Sequence, residues 1–304
     1  MTHLRQGSGG QGRGQGSGAP GPLRQGSGGQ GTAVGRIGET FARLRAQQTP
    51  GLVTYVTAGD PDLPQTEGIL RALDRAGADV LEVGVPFSDP LADGPVIQRA
   101  TERALASGTT LTGVLDLIAR VRADIRAPIV IFSYANPILR IGAQRFADIA
   151  ANAGVDGVLV LDLPIEEAGD FRAMLAERGI DTILLLSPTT SDERLRKAAA
   201  LGSGFLYAIS RLGVTGARDA LATGAEEMVR RIRAVSDLPV ALGFGISKPE
   251  HVREVGRWAD AAVVGSALVN VIAEAAALGR ESRGEGDSND LNSRVEEYVR
   301  WLKS

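Results

Sequence analysis

The sequence predicts an α/β fold: a closed (β/α)8 (TIM) barrel, preceded by one extra N-terminal helix and, before that, a disordered glycine-rich tail. Three observations carry that expectation. Eight short apolar runs recur, at residues 52–57, 80–85, 129–134, 157–161, 182–186, 205–209, 240–244 and 261–264. Most lack strict alternation, as strands buried on both faces do. Helical patterns separate them, at residues 66–76, 114–125, 143–152, 168–178, 193–201 and 226–235. One joint also repeats: Ala76-Gly77-Ala78-Asp79, Ala153-Gly154-Val155-Asp156 and, in shortened form, Ala259-Asp260 each lead into a strand. It reads as a helix stopped by a left-handed glycine, then an acid, then the next strand. An open doubly wound sheet is the main alternative. It would need fewer strands and usually an early glycine-rich turn, whereas the first turn here reads Ala58-Gly59-Asp60-Pro61.

Residues 1–32 are mostly Gly, Gln, Ser and Arg, and the nonapeptide Leu-Arg-Gln-Gly-Ser-Gly-Gly-Gln-Gly occurs twice, at 4–12 and 23–31. Such a segment buries too little apolar surface to offset its chain entropy, so it is expected to be disordered. Residues 33–304 are expected to form a single barrel domain. Its first helix is marked by Ile37, Phe41 and Leu44 at helical spacing. Near the other end, residues 281–290 read as a polar, solvated insert and 295–302 as a terminal helix.

Composition removes many chemistries. The chain has 304 residues, a formal net charge of −3 and no cysteine. No basic field favours nucleic acid. Disulfides, zinc–thiolate sites and cysteine nucleophiles are excluded. No apolar run reaches the roughly 18 residues of a membrane span, and none near Met1 resembles a signal-peptide core. A cytoplasmic protein is expected. The two histidines, His3 and His251, cannot form a multi-histidine metal site, and His251 is read as a solvated surface residue. The three lysines, Lys197, Lys248 and Lys303, lie outside the strand-like runs, which weakens any Schiff-base mechanism. Chemistry falls to carboxylates, tyrosines, hydroxyls and backbone amides.

In such a barrel the active site lies at the C-terminal ends of the strands, and four features converge there. Glu82 stands inside the second apolar run, and Asp93 follows on the loop of Pro, Asp and Gly after it. Burial would raise the Glu82 pKa towards neutrality, while Asp93, in polar company, would stay ionised. Gly213-Val214-Thr215-Gly216 after the sixth strand reads either as a lid or as an ordinary turn. Gly243-Phe244-Gly245-Ile246-Ser247 and Gly265-Ser266-Ala267, after strands seven and eight, suit close approach of backbone amides to a phosphate.

Residues 81–95 resemble the signature of the tryptophan synthase alpha chain family. So do Thr54-Tyr55-Val56-Thr57-Ala58-Gly59-Asp60-Pro61, Ser133-Tyr134-Ala135-Asn136-Pro137, Ser187-Pro188-Thr189-Thr190, residues 210–216 and residues 243–247, in family order. The resemblance covers about residues 34 to 278. It implies a carbon–carbon lyase of tryptophan biosynthesis that cleaves indole-3-glycerol phosphate to indole and glyceraldehyde 3-phosphate. By the same resemblance Glu82 is the acid/base at indole C3, and Asp93 holds the indole N–H. Tyr55, Phe132, Leu161, Tyr207, Thr215 and Ile246 line the substrate, and Gly216, Gly245, Gly265 and Ser266 grip its phosphate. No metal and no cofactor in this chain are implied. The partner is a tryptophan synthase beta chain in an α2β2 complex, which carries PLP and receives the indole. The loop at residues 86–90 and the region of Asn136 match surfaces that the family uses for that partner. The alternatives are a catalytically silent alpha-like subunit that only regulates a beta chain, or another phosphate-binding barrel such as indole-3-glycerol-phosphate synthase. The second would want lysine at strand ends, and the first is disfavoured by the presence of both acids.

Overall fold

A computed structural model of the chain describes residues 35–209, 224–243, 245–281 and 288–304. The tail at residues 1–32, the turn at 213–216 and residues 282–287 of the polar insert lie outside the described residues. The chain opens with α1 (Arg36–Gln47) and β1 (Gly51–Thr57), then α2 (Leu63–Ala76) and β2 (Val80–Gly84). Two helices, α3 (Pro95–Ala106) and α4 (Leu111–Val121), lead to β3 (Ile129–Ser133), and two more, α5 (Ala135–Ile141) and α6 (Ala143–Ala153), to β4 (Gly157–Val160). Single helices alternate with strands thereafter: α7 (Ala168–Ala176), β5 (Asp181–Leu186), α8 (Asp192–Leu201), β6 (Leu206–Ile209), α9 (Ala225–Arg233), β7 (Val240–Gly243), α10 (Pro249–Val255) and β8 (Ala261–Val264). The chain closes with α11 (Ser266–Glu281) and α12 (Ser288–Leu302). Each strand pairs in parallel with the next, and β8 returns to β1 with Leu52 opposite Ala262, so the sheet is a closed barrel rather than an open one.

Each strand presents one alternating set of side chains inward and the other outward. Val53, Val80, Val130, Leu159, Ile183 and Phe205 meet inside the barrel. Leu52, Val56, Leu81, Val83, Ile129 and Ile131 face the helices. Both sets are apolar, which is why the strands read as continuous runs. Among the described residues no single helix is long and apolar enough to cross a membrane. The most apolar helix pair, α3 and α4, turns its buried face, including Ile97, Ala100, Val114 and Leu117, onto the barrel.

The N-terminal end of the barrel is stoppered by α1. Its stripe of Ile37, Phe41 and Leu44 is buried and joins the interior cluster, with the Phe41 ring 5.6 Å from that of Phe205. Around that stripe stand the three aspartates of the repeated joint. Asp79, Asp156 and Asp260 each accept the first free N–H of the preceding strand, from Leu52 at 3.0 Å, Ile129 at 2.8 Å and Val240 at 2.8 Å. Each also takes an arginine of α1: Arg43 binds Asp79, Arg36 binds Asp156 and Arg45 binds Asp260, at 3.1, 3.0 and 3.1 Å. Gly77 and Gly154 have φ of 90° and 80°, so the joint has the left-handed glycine that its sequence suggests.

Two expectations change. His251 is 5% exposed and sits on the buried face of α10, and its Nδ1 accepts the Ser247 N–H at 3.3 Å. The register of a short helix, with Val252 and Val255 also inward, places it there rather than in solvent. The terminal helix begins at Ser288, several residues before the predicted 295, and it buries Leu291 as well as Val295. Phe41→Ala is expected to lower the unfolding free energy by about 3–5 kcal/mol, since it leaves a cavity no neighbour can fill. Urea unfolding of the variant and its parent measures the difference.

Candidate active site

Glu82 shares the inward set of β2 with Val80, beside Tyr55 on β1 and Val130 on β3. It is fully buried, and neither carboxyl oxygen accepts a hydrogen bond from any described group. Burial raises its pKa from 4.5 to about 8. An unpaired carboxylate in such a place is costly, whereas a neutral carboxyl is tolerated. The group therefore holds a proton at neutral pH and can release it close to that range.

Two tyrosines stand over it. Tyr55 on β1 meets Phe132 of β3 edge to face, with ring centroids 5.2 Å apart at 75°, and its hydroxyl lies 3.4 Å from that of Thr57. Tyr207 is on β6, with Phe132 and Leu161 at the same end of the interior cluster. Burial holds both phenols well above their ordinary pKa. The charges of Asp93 and Glu82 add to this at Tyr55, and those of Glu82 and Tyr55 at Tyr207. Both phenols stay neutral donors. Space for them comes from two glycines. A Cβ on Gly84 would lie 2.2 Å from the Tyr55 hydroxyl, and one on Gly243 would lie 2.4 Å from that of Tyr207.

Asp93 lies on the loop from β2 to α3. Its Oδ2 accepts the Tyr134 hydroxyl at 3.2 Å, and the same hydroxyl accepts the Ala92 N–H at 3.0 Å. The Tyr134 ring packs in turn against Phe87, with centroids 5.2 Å apart. Gln98, one turn into α3, donates to the Asp93 carbonyl at 2.9 Å. Burial raises the Asp93 pKa from 3.8 to about 6, and the Tyr134 bond only partly offsets it. Asp93 is thus ionised above that pH but is a weaker acid than polar company alone predicts. Sequence reasoning does not single out Tyr134. Its position directly after the third strand, inside the motif Ser133-Tyr134-Ala135-Asn136-Pro137, is the signal that could have done so.

The loop after β1 is held from behind. Asp60 is 3% exposed and receives both arms of Arg103 from α3, at 2.7 and 2.8 Å. This pair ties the turn beyond Tyr55 to the helix that follows Asp93.

Gly245 follows β7 with φ of 61°, where a side chain would be strained. Gly265 and Ser266 open α11, with the Val269 N–H bonded to the Gly265 carbonyl at 3.0 Å, so the free amides of its first turn lie beside β8. A Cβ on Gly265 would touch the Tyr55 ring at 3.7 Å, which brings this helix start against the aromatic side of the site. Ile246 stands apart. It is 2% exposed but belongs to the outer layer between barrel and helices, because it follows the outward set of β7 that includes Leu242. Thr215 and Gly216 lie outside the described residues. Among the described residues no group of three or more His, Asp or Glu side chains could hold a metal ion.

The chain matches the family described as tryptophan synthase alpha chain over residues 41–300. The tryptophan synthase alpha chain of Solibacter usitatus is 48% identical over 268 residues, which are 88% of this chain and 97% of the relative. That of Geotalea daltonii is 52% identical over 236 residues, 78% and 89% of the two chains. Among solved structures, tryptophan synthase subunit alpha from Legionella pneumophila is 38% identical, with a TM-score of 0.76 over 88% of this chain and 99% of that one. A structure of the tryptophan synthase α2β2 complex from Pyrococcus furiosus contains a chain 40% identical, with a TM-score of 0.75 over 83% of this chain and 97% of that one. By the span matched, the identity and the shared barrel, this chain belongs to the tryptophan synthase alpha chain family.

Proposed function

We propose that this chain cleaves indole-3-glycerol phosphate to indole and glyceraldehyde 3-phosphate, with Glu82 as acid and base and Asp93 as the anchor of the indole nitrogen. The observation that carries the reading is the Glu82 carboxyl, fully buried inside the barrel beside Tyr55 and protonated up to about pH 8. In the first step its proton passes to indole C3, and the positive charge that develops at N1 is met by the Asp93 carboxylate. In the second, the Glu82 carboxylate removes the proton of the adjacent glycerol hydroxyl. The bond from C3 to the glycerol carbon breaks, its electrons return to the ring, and an aldehyde forms. Glu82 ends as it began. No imine is required, which agrees with a chain whose lysines all lie outside its strands.

Tyr55, Phe132, Leu161 and Tyr207 supply flat apolar walls for the indole, and Tyr134 orients Asp93. The amides around Gly245, Gly265 and Ser266 suit a phosphate at the far end of the substrate. Binding energy from that phosphate can then hold the reacting carbon in place.

The natural partner in this reading is a beta chain that takes the indole and carries PLP, in an α2β2 assembly; this chain supplies no cofactor. Two large apolar side chains at the catalytic end favour a protein partner there: Leu91 is 90% exposed and Leu139 is 66% exposed. Leu91 lies on the loop that carries Asp93, so a partner seated on it would bear on the anchor of the indole nitrogen.

Glu82→Gln is expected to reduce indole release at least about a hundredfold while leaving the fold intact. An indole-release assay reads this, and near-normal activity in the variant would sink the mechanism. The acid must be protonated and Asp93 ionised, so kcat/KM should fall as pH drops below about 6 and again as it rises above about 8. A profile flat across both values would contradict the two roles. Stability should move with the same group. Folded Glu82 holds its proton to about pH 8 and unfolded Glu82 only to about 4.5, so folding is progressively penalised as pH rises through that window. Glu82→Gln should therefore match its parent in stability below that window and exceed it by on the order of 4 kcal/mol near its top. Urea unfolding at several pH values tests this.

A further inference from the structure

We propose that an arginine-lined cavity at the N-terminal end of the barrel is a second binding site, for a small organic anion that joins a phosphate or carboxylate to an apolar body. The cavity measures about 600 Å³, within the range of small-molecule sites. It lies between the end of α1, the length of α9 and the loop from α10 into β8, at the opposite end of the barrel from the mouth that holds Asp93.

Its floor is apolar. Leu44, Val229 and Ala259 are buried, and the half-buried Trp258 forms a wall. Its rim carries four arginines, Arg45, Arg230, Arg233 and Arg257, against two acids, Glu226 and Asp260. The fold accounts for two of the four. Arg45 and Arg233 share the Asp260 carboxylate, at 3.1 and 3.0 Å, and that carboxylate also caps β7. One carboxylate facing two guanidinium groups leaves positive charge in excess.

The other two arginines hold nothing together. Among the described residues Arg230 meets only Glu227, one turn back on its own helix, with both side chains more than half exposed. Such a pair contributes little. The Arg257 guanidinium has no partner among the described residues. The rim also includes Gln48, the sole non-glycine residue with positive φ among those described, at 52°. The equivalent stops of α2 and α6 are the glycines Gly77 and Gly154. At the end of α1 the chain instead carries an amide side chain in a conformation that favours glycine. Conformational strain, uncommitted guanidinium groups and an aromatic wall meet at one cavity. The N-terminal face of a barrel ordinarily serves stability, and here the Arg45–Asp260–Arg233 group does so. Arg230 and Arg257 are left to face an anion, and Trp258 to cover its apolar part.

The chain has two tryptophans, so Trp301→Phe leaves Trp258 as the sole tryptophan reporter at the cavity, remote from the catalytic end. That variant would be titrated with phenyl phosphate, benzoate and inorganic phosphate while Trp258 emission is followed. Saturable change with phenyl phosphate or benzoate, tighter than with inorganic phosphate, is the expected result, and the better of the two organic probes identifies the anionic group. Adding Arg230→Ala and Arg257→Ala should weaken that binding at least about tenfold, with the unfolding midpoint unchanged. No saturable change by about 10 mM, or the same affinity without the two arginines, would overturn the proposal.

Discussion

The structure is organised around the burial of one carboxyl group, that of Glu82, which has no hydrogen-bond partner among the described residues. Burying Glu82 without a hydrogen bond from any described group keeps its proton on at neutral pH, and a proton held that way suits the donor role proposed for it. The condition is a dry interior. It is met from below by α1, whose apolar stripe closes the barrel, and from the sides by the inward set of strand residues. It is met from above by Tyr55 and Tyr207, which fit only because β2 and β7 place glycine at Gly84 and Gly243. Loosening any of these would admit water and return Glu82 towards an ordinary acid.

Asp93 shows the opposite solution. It lies on a loop, keeps a hydrogen bond from Tyr134, and its pKa rises only to about 6. Two carboxyl groups of the same chemical type are thus pushed to different strengths by burial and by one tyrosine. Between the two values one is protonated and the other ionised, which are the states that the proposed donor at carbon and anion at nitrogen need.

Much of this is legible in the sequence, for identifiable reasons. The barrel shows because strands buried on both faces leave continuous apolar runs. It shows also because a joint ending in aspartate recurs at Asp79, Asp156 and Asp260, each of which caps the neighbouring strand. Glu82 stands out because an acid inside such a run is anomalous. Its direction is not legible, since both faces of the strand are apolar and only closure of the barrel separates inside from outside. Tyr134 and the glycines Gly84 and Gly243 are hidden for a related reason. Their roles exist only between strands, in a register the linear sequence does not display. Ile246 and His251 mislead in the same way. A motif fixes their neighbours along the chain, but alternation and helix register decide which layer they enter.

The three arginines of α1 have a consequence for how the molecule is made. They reach aspartates 36, 120 and 215 residues further along the chain. The helix is synthesised ahead of every strand, yet its third anchor does not exist until the chain has been made as far as Asp260. Throughout that interval Ile37, Phe41 and Leu44 lack a barrel interior to enter. A nascent chain on the ribosome therefore displays its stopper uncovered for most of its elongation, a stretch that a chaperone or a protease can read as unfinished. Closure of the sheet and seating of α1 then become the same late event, so the dryness around Glu82 arrives only after Asp260 has been made.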